Sequence, residues 1–453
     1  MIVVVGGGIT GLTAAFELAR RKVEFVLLEA SPRLGGLIHT EHTDGFTIDA
    51  GPDSLLVQKP AAIQLCEELG LSGQLMATRT PRTAYVLRDG RLYPLPSPSV
   101  LGIPTSLEAL WRYDLLDWPA RARVALEPLI RESSVEDESV AAFFRRRFGA
   151  ATVGLIAEPL LGGIHAGDVE QLSMRSVFPR LIQAARQRGG IARNLGSVPR
   201  SADSGMFRAL RGGMADLVAA IERALPRGAV RTNSAATEIE RRGSGWTVSS
   251  GADRIDASAV ILSSPAHAVA GLLRPLELDA ARLCDAVPYV STTSVALGWR
   301  RRDVAHPLTG SGFVVARRHN TLRITACTWV SSKWEHRAPA GHVLLRAFAG
   351  GAHDPGAVDL DDQGLIEMAV RDLTPLLGIS APPILTRVFR ARNAGAQHLV
   401  GHGARTAALA QRIAALPGLF VAGSGFESIG IPDCVANGGR TGGAAADYVR
   451  MGS

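Results

Sequence analysis

The chain opens on an unbroken apolar run, Ile2 to Val5, and a second run, Val23 to Leu28, follows within the first thirty positions. Runs that are apolar at every position predict strands buried on both faces of a parallel sheet. Between them, Leu12 to Arg20 carries apolar residues at helical spacing, so the segment predicts one strand–helix–strand unit. Two later runs, Ala259 to Leu262 and Leu419 to Ala422, predict further strands of the same kind. Residues 85–96 predict a hairpin that turns at Asp89-Gly90. From 101 to about 200 the pattern is helical, with basic and apolar faces, and Ala209 to Leu225 predicts another helix. Residues 290–400 alternate as strands, including Ser294 to Trp299, Arg323 to Val330 and Val343 to Phe348, and suit an antiparallel sheet roofing a cavity. A last helix is expected to begin near Pro432, with Gly438, Gly439, Gly442 and Gly443 interrupting it and permitting close packing on strands.

Composition narrows the class. The 453 residues are 46% hydrophobic and 20% charged, which excludes a disordered chain and fits about three compact units. No stretch is long and apolar enough to predict a spanning helix. The net charge is 49 − 42 = +7, and the basic residues are nearly all Arg, with Lys only at 22, 59 and 333. Arg is dispersed apart from the run Arg145 to Arg147, so no nucleic-acid partner is expected, whereas an acidic substrate is compatible. Cys66, Cys284, Cys327 and Cys434 form no C-x-x-C pair, which fits a reducing compartment. Without a secretory signal ahead of Ile2, the cytoplasm is the expected location. Trp111 and Trp118 with nearby Arg are compatible with peripheral association at an interface, although an ordinary amphipathic bundle is the favoured account of them.

The chemistry begins at Gly6-Gly7-Gly8-Ile9-Thr10-Gly11, which follows the first strand and opens the first helix. Gly6 permits the tight turn, Gly8 lets a pyrophosphate approach the backbone, and Gly11 lets helix and strand pack closely. The helix start adds free N–H groups and a positive dipole end. Glu29, followed by Ala30, ends the second strand where a carboxylate accepts from an adenosine ribose. Arg33, Gly35 and Gly36 follow, then Gly51-Pro52-Asp53-Ser54; the glycines suit backbone lying against a flat ring or a pyrophosphate, and Arg33 suits its charge. Ile429-Gly430-Ile431-Pro432 precedes the last helix, whose start would stabilise negative charge on a reduced isoalloxazine. Gly162 to Gly167 places three glycines among six residues within the helical region, again suiting a flat partner; His165 there is a candidate acid or base, or a structural histidine. Asp433 and Cys434 read as a first-turn charge and a small buried residue.

Several segments together carry a resemblance. They are GGGITG at 6–11, GPDS at 51–54, YVLRDGRLYPLP at 85–96, LGIPTS at 101–106, EPLLGGIHAGDVEQLSMRSVFP at 158–179, ITACTWVSSKWEHRAP at 324–339, LLRAFAGG at 344–351 and GIPDCVANGGR at 430–440. Over nearly its full length the chain resembles the oxygen-dependent, FAD-containing protoporphyrinogen/coproporphyrinogen III oxidase family of heme biosynthesis, within the flavin amine oxidase superfamily. The residues around Thr328 and Lys333 and the GIPDC element resemble its soluble branch from monoderm bacteria, which is associated with coproporphyrinogen III.

That resemblance implies an α/β fold with three parts. A Rossmann-like FAD-binding domain comprises 1–84, 205–275 and 405–453; an interleaved α+β substrate domain comprises 85–100 and 276–404; a helical domain comprises 101–204. It implies FAD contacts at Gly6 to Gly11, Glu29, Ala30, Arg33, Gly35, Gly36, Gly51 to Ser54, Ala236 against the adenine, Ala391, and Ile429 to Pro432. Gly163 falls near the substrate's reacting methylene. The family usually has an aromatic residue at Ala391 and a tyrosine or phenylalanine at His165, and its P-Q-Y-x-x-G-H element reads Ala396-Gln397-His398-Leu399-Val400-Gly401-His402 here. Arg82 is the nearest counterpart of a propionate-binding arginine. The implied partners are a porphyrinogen and O2, with a transient contact to a membrane or to the next heme-pathway enzyme. Oxidation of protoporphyrinogen IX is the alternative reaction; an amine oxidase, a carotenoid desaturase and a non-catalytic porphyrin carrier are more distant ones.

Overall fold

The computed structural model describes residues 1–130, 136–187, 189–196, 205–427 and 429–451. Its centre is a five-stranded parallel sheet in the spatial order Val230–Arg231, Phe25–Leu28, Ile2–Val5, Ala259–Leu262 and Leu419–Val421. The three middle strands are buried at every position, as their unbroken apolar runs require. Alternate residues face opposite layers. Ile2, Val4, Leu27 and Ile261 join helices Ile9–Arg20, Ala215–Ala224 and Ile431–Met451 in one core. Val3, Val5, Val26 and Val260 join the antiparallel strands 238–257 and helices Ala266–Leu273, Leu278–Asp285 and His402–Ala414 in the other.

A seven-stranded sheet runs Leu385–Ala396, Tyr289–Arg300, His342–Gly350, Ala326–Trp329, Gly312–Val315, Ala84–Arg88 and Arg91–Pro94. It is antiparallel except where Gly312–Val315 pairs parallel to Ala84–Arg88. The hairpin at its edge turns at Asp89 and Gly90, both at positive φ (50° and 75°), as a tight two-residue loop demands. Helix Asp362–Leu377 covers one face. A small core of Phe46, Ile48, Ala209, Ala296, Trp334 and Leu344 ties the other face to the N-terminal hairpin Thr40–Asp49. Between Ser106 and Gly196 the described chain is a cluster of short helices around Tyr113, Phe143, Phe144, Ile156 and Leu172. Among the described residues no helix is long and apolar enough to cross a membrane.

Two sequence expectations are corrected. Ala209 to Leu225 is not one helix: Phe207–Leu210 is a strand paired with Leu55–Leu56 and Leu75–Ala77, and Ala215–Ala224 alone is helical. Gly213, at φ 101°, makes the break, and the helical spacing of apolar residues across it is coincidental. The last helix is not interrupted; it runs unbroken through its glycines from Ile431 to Met451. Those glycines pack against a helix, not strands. A Cβ at Gly438 would lie 2.2 Å from the Thr10 carbonyl oxygen, and one at Gly442 2.6 Å from that of Ala14.

Candidate functional site: a dinucleotide cradle and the junction beyond it

The cradle lies at the carboxyl edge of the parallel sheet, where such sheets bind ligands. Gly6 turns at φ 107°, and a Cβ on Gly11 would sit 2.0 Å from the Gly6 carbonyl oxygen, so both are glycine for steric reasons. Gly8 is different. It has an ordinary φ of −69°, and a Cβ there would meet nothing within 4 Å. It is the N-cap of Ile9–Arg20, and no side chain caps that helix. An uncapped helix start beneath open space suits a pyrophosphate. Gly35 donates its N–H to the Gly7 carbonyl at 2.8 Å, so the second glycine pair packs onto the first. Arg33 folds over its own loop and donates to the carbonyls of Leu34, Gly36 and Ile38. It thereby fixes the loop that carries Gly35 and Gly36.

Glu29 marks one end of the cradle. Its carboxylate accepts from the N–H of Gly7 (2.6 Å) and of Ser31 (2.8 Å), which orients it beside the glycine turn. The Ser234 N–H donates to the Glu29 carbonyl, and Ala236 follows, half-buried, on the same flank. An adenosine therefore fits this side, which places the other end of the ligand toward Thr10, the start of the last helix and the 51–54 loop.

That second end is built from charged residues the sequence reading did not pair. The Asp53 side chain is only 11% exposed; its carboxylate accepts from Lys333 Nζ (2.9 and 3.1 Å), Trp334 Nε1 (3.3 Å) and Ser54 Oγ (2.9 Å), with Arg346 at 3.8 Å. Burial alone would raise its pKa, but the Lys333 and Arg346 cations outweigh that and hold it well below the usual carboxylate range. Arg346 also donates to the carbonyls of Asp49 and Gly51, and Arg337 pairs with Asp49 at 3.2 Å in a fully buried bridge. The 49–54 loop is thus clamped to the seven-stranded sheet by three cations. On the last helix, Asp433 pairs with Lys59. Two of the chain's three lysines therefore stand at this end of the cradle, and their scarcity was the one sequence signal available.

All three parts of the fold meet just beyond. A rare π-helix with Pro159 inside it, Val153–Gly162, continues into one helical turn, Gly163–His165, which ends the helix at Ala166. Gly163 is exposed, and a Cβ on it would meet nothing. Ala166, at φ 48°, accepts from the Ala352 N–H, while the Gln397 amide donates to the His165 carbonyl at 3.0 Å. The turn is thus held to the sheet, with Lys59 close enough to depress the His165 pKa. The His165 ring stands edge-on to Phe178. Burial, His398 and Lys59 push its pKa down to about 4. His398 and His402 stack at 3.8 Å, and their Nε2 atoms bond the carbonyls of Ser424 (2.9 Å) and Phe426 (3.1 Å).

Two further candidates are carried by other elements. Arg82 bonds Thr78 and sits close enough to Arg208 to depress that residue's pKa, a cause second to burial, on the side of the small 55–56, 75–77, 207–210 sheet. Ala391 opposes Thr292 on the long strand Leu385–Ala396, next to a register shift at Val290/Thr292.

The residues present fit FAD: a cradle open only over Gly8, an oriented carboxylate on one flank, and a clamped loop with a 21-residue helix start on the other. Comparison with known proteins agrees. A curated Bacillus subtilis protein named coproporphyrinogen III oxidase is 37% identical, covering 96% of each chain, and a Staphylococcus aureus protein of the same name is 30% identical, covering 96% of this chain and 97% of its own. A crystal structure from Exiguobacterium sp. 255-15, provisionally described as a protoporphyrinogen oxidase, superposes with a TM-score of 0.87 at 31% identity over 98% of both chains. Residues 9–446 match the family described as flavin containing amine oxidoreductase, and the chain belongs to that family.

Proposed function

We propose that this flavoenzyme oxidises coproporphyrinogen III to coproporphyrin III, with O2 as electron acceptor and hydrogen peroxide as co-product. The observation that carries the reading is that the likeness to proteins named coproporphyrinogen III oxidase runs through all three parts of the fold, not through the dinucleotide cradle alone. The FAD contacts are assigned to Gly6, Gly7, Gly8, Ile9, Thr10, Gly11, Glu29, Ala30, Arg33, Gly35, Gly36, Gly51, Pro52, Asp53, Ser54, Ala236, Ala391, Ile429, Gly430, Ile431 and Pro432. Bound FAD supplies two-electron acceptance and reoxidation by O2.

The chain's own residues bind and orient. The 49–54 loop and the start of the last helix fix the edge of the ring. The turn at Gly163, open above its backbone, gives a flat tetrapyrrole room to lie close. Lys59 and the abundant arginines suit its propionates. The four cysteines are free and buried, in keeping with a reducing, cytoplasmic setting.

A second reading, protoporphyrinogen IX, is favoured by a spinach relative named protoporphyrinogen oxidase 1, 27% identical over 99% of this chain. Turnover of the two porphyrinogens measured in parallel, by porphyrin fluorescence and peroxide release, separates them. The first reading expects coproporphyrinogen III to be preferred; a clear preference for protoporphyrinogen IX overturns it.

A further inference from the structure

Each two-electron step of the proposed reaction releases a proton as well as a hydride. The C–H bond of a bridging carbon breaks with its electron pair going to the flavin. The N–H bond of the adjoining pyrrole then breaks, its electron pair completes the new C=N bond, and its proton needs an acceptor. The groups at the junction are few. Lys59 is tied to Asp433 and, as an ammonium, has no lone pair. His398 and His402 commit Nε2 to the carbonyls of Ser424 and Phe426; a carbonyl only accepts, so these are Nε2–H tautomers, and they face each other in a stack.

His165 alone among these has both ring nitrogens without a hydrogen-bond partner among the described residues; Nδ1 is sealed from solvent. Its position is fixed from three directions, by the edge of Phe178, by Gln397 on its carbonyl, and by Ala352 on the next carbonyl. It stands two positions after Gly163, whose backbone has open space above it, and close enough to Lys59, the partner of Asp433 on the last helix, to feel its charge.

We infer that His165 is the proton acceptor of the reaction, taking the pyrrole N–H proton as the hydride leaves the neighbouring carbon. This rests on the porphyrinogen reading. The groups facing His165 are Lys59 and His398, with His402 and Arg405 behind the latter; burial first, then these neighbours, keeps the imidazole neutral, with a lone pair to offer.

The test is anaerobic mixing of the yellow holoprotein with coproporphyrinogen III, following loss of flavin absorbance. In H165F the reduction is expected to slow about 100-fold and to lose the rise of the native rate as pH climbs through about 4, where His165 deprotonates. FAD content and the affinity for coproporphyrin III, read by porphyrin fluorescence, are expected to match the native protein. In H165A, free imidazole is expected to restore part of the rate. A native rate and pH profile in H165F overturn the inference, as does a loss confined to porphyrin affinity or to FAD content, which would make His165 a binding or structural residue. If native protein is not reduced by coproporphyrinogen III at all, the porphyrinogen reading itself has failed, and the two failures are thereby distinct.

Discussion

At the scale of single residues, the glycines of the cradle divide into those the fold requires and one that only a ligand requires. Gly6 and Gly11 are pinned by neighbouring backbone, whereas Gly8 has an ordinary φ and open space above it. Gly8→Val is therefore expected to fold with a native melting temperature as apoprotein and to retain no FAD. Absorbance at 450 nm together with far-UV circular dichroism checks this, and a yellow G8V protein contradicts the assigned pyrophosphate position. Charge makes the second residue-scale prediction. Lys333→Met leaves the Asp53 carboxylate buried with only Arg346 nearby, and breaking such a buried pair costs about 3 kcal/mol. Adding Asp53→Asn to K333M is expected to restore much of that loss, and a double-mutant cycle by denaturant unfolding measures the coupling. The glycine motif was legible in sequence because its parts are contiguous. The ion pairs were not: Lys333 and Asp53 lie 280 positions apart, Lys59 and Asp433 374 apart, and hydrophobic periodicity carries no information about such partners.

At the scale of elements, the strand–helix–strand unit and the Asp89-Gly90 hairpin were legible because short-range signals decide them. The break at Gly212-Gly213 was not, since apolar spacing continues across it and only the pairing of 207–210 with distant strands reveals a strand. The last helix shows tertiary contact overriding propensity. Its glycines are poor helix formers, yet they let it lie against Ile9–Arg20 at backbone distance. Gly438→Ala is expected to destabilise by about 1–3 kcal/mol and to loosen FAD, because its Cβ would meet the Thr10 carbonyl. Gly439→Ala, where a Cβ lies 4.0 Å from its nearest neighbour, is expected to be neutral or to stabilise by up to about 1 kcal/mol. Equal effects of the two in thermal unfolding contradict this packing. The imidazoles at the junction make a pH prediction. Burial lowers the pKa of His165 to about 4 and of His402 to about 3, so below 6.5 the unfolded chain binds more protons than the folded one. Stability is therefore expected to fall as pH drops from about 6.5 to about 5, before most carboxylates titrate. A melting temperature unchanged over that interval contradicts neutral burial of these rings.

At the scale of the molecule, three separately cored parts meet at one place. The parallel sheet brings the glycine turn and the last helix together; the antiparallel sheet clamps the 49–54 loop through Lys333, Arg337 and Arg346; the helical part contributes the Gly163–His165 turn. The chain crosses between the parts repeatedly, so the cradle, the Gly163–His165 turn and the clamp cannot be separated without losing the site. On the proposed function, a flavin held at this junction takes electrons from a porphyrinogen and passes them to O2. The most direct measurement mixes yellow holoprotein with coproporphyrinogen III without oxygen, then admits air. The flavin is expected to bleach as porphyrin fluorescence rises, and its absorbance to return with one peroxide formed per electron pair removed. A flavin that stays oxidised in the presence of excess porphyrinogen contradicts it.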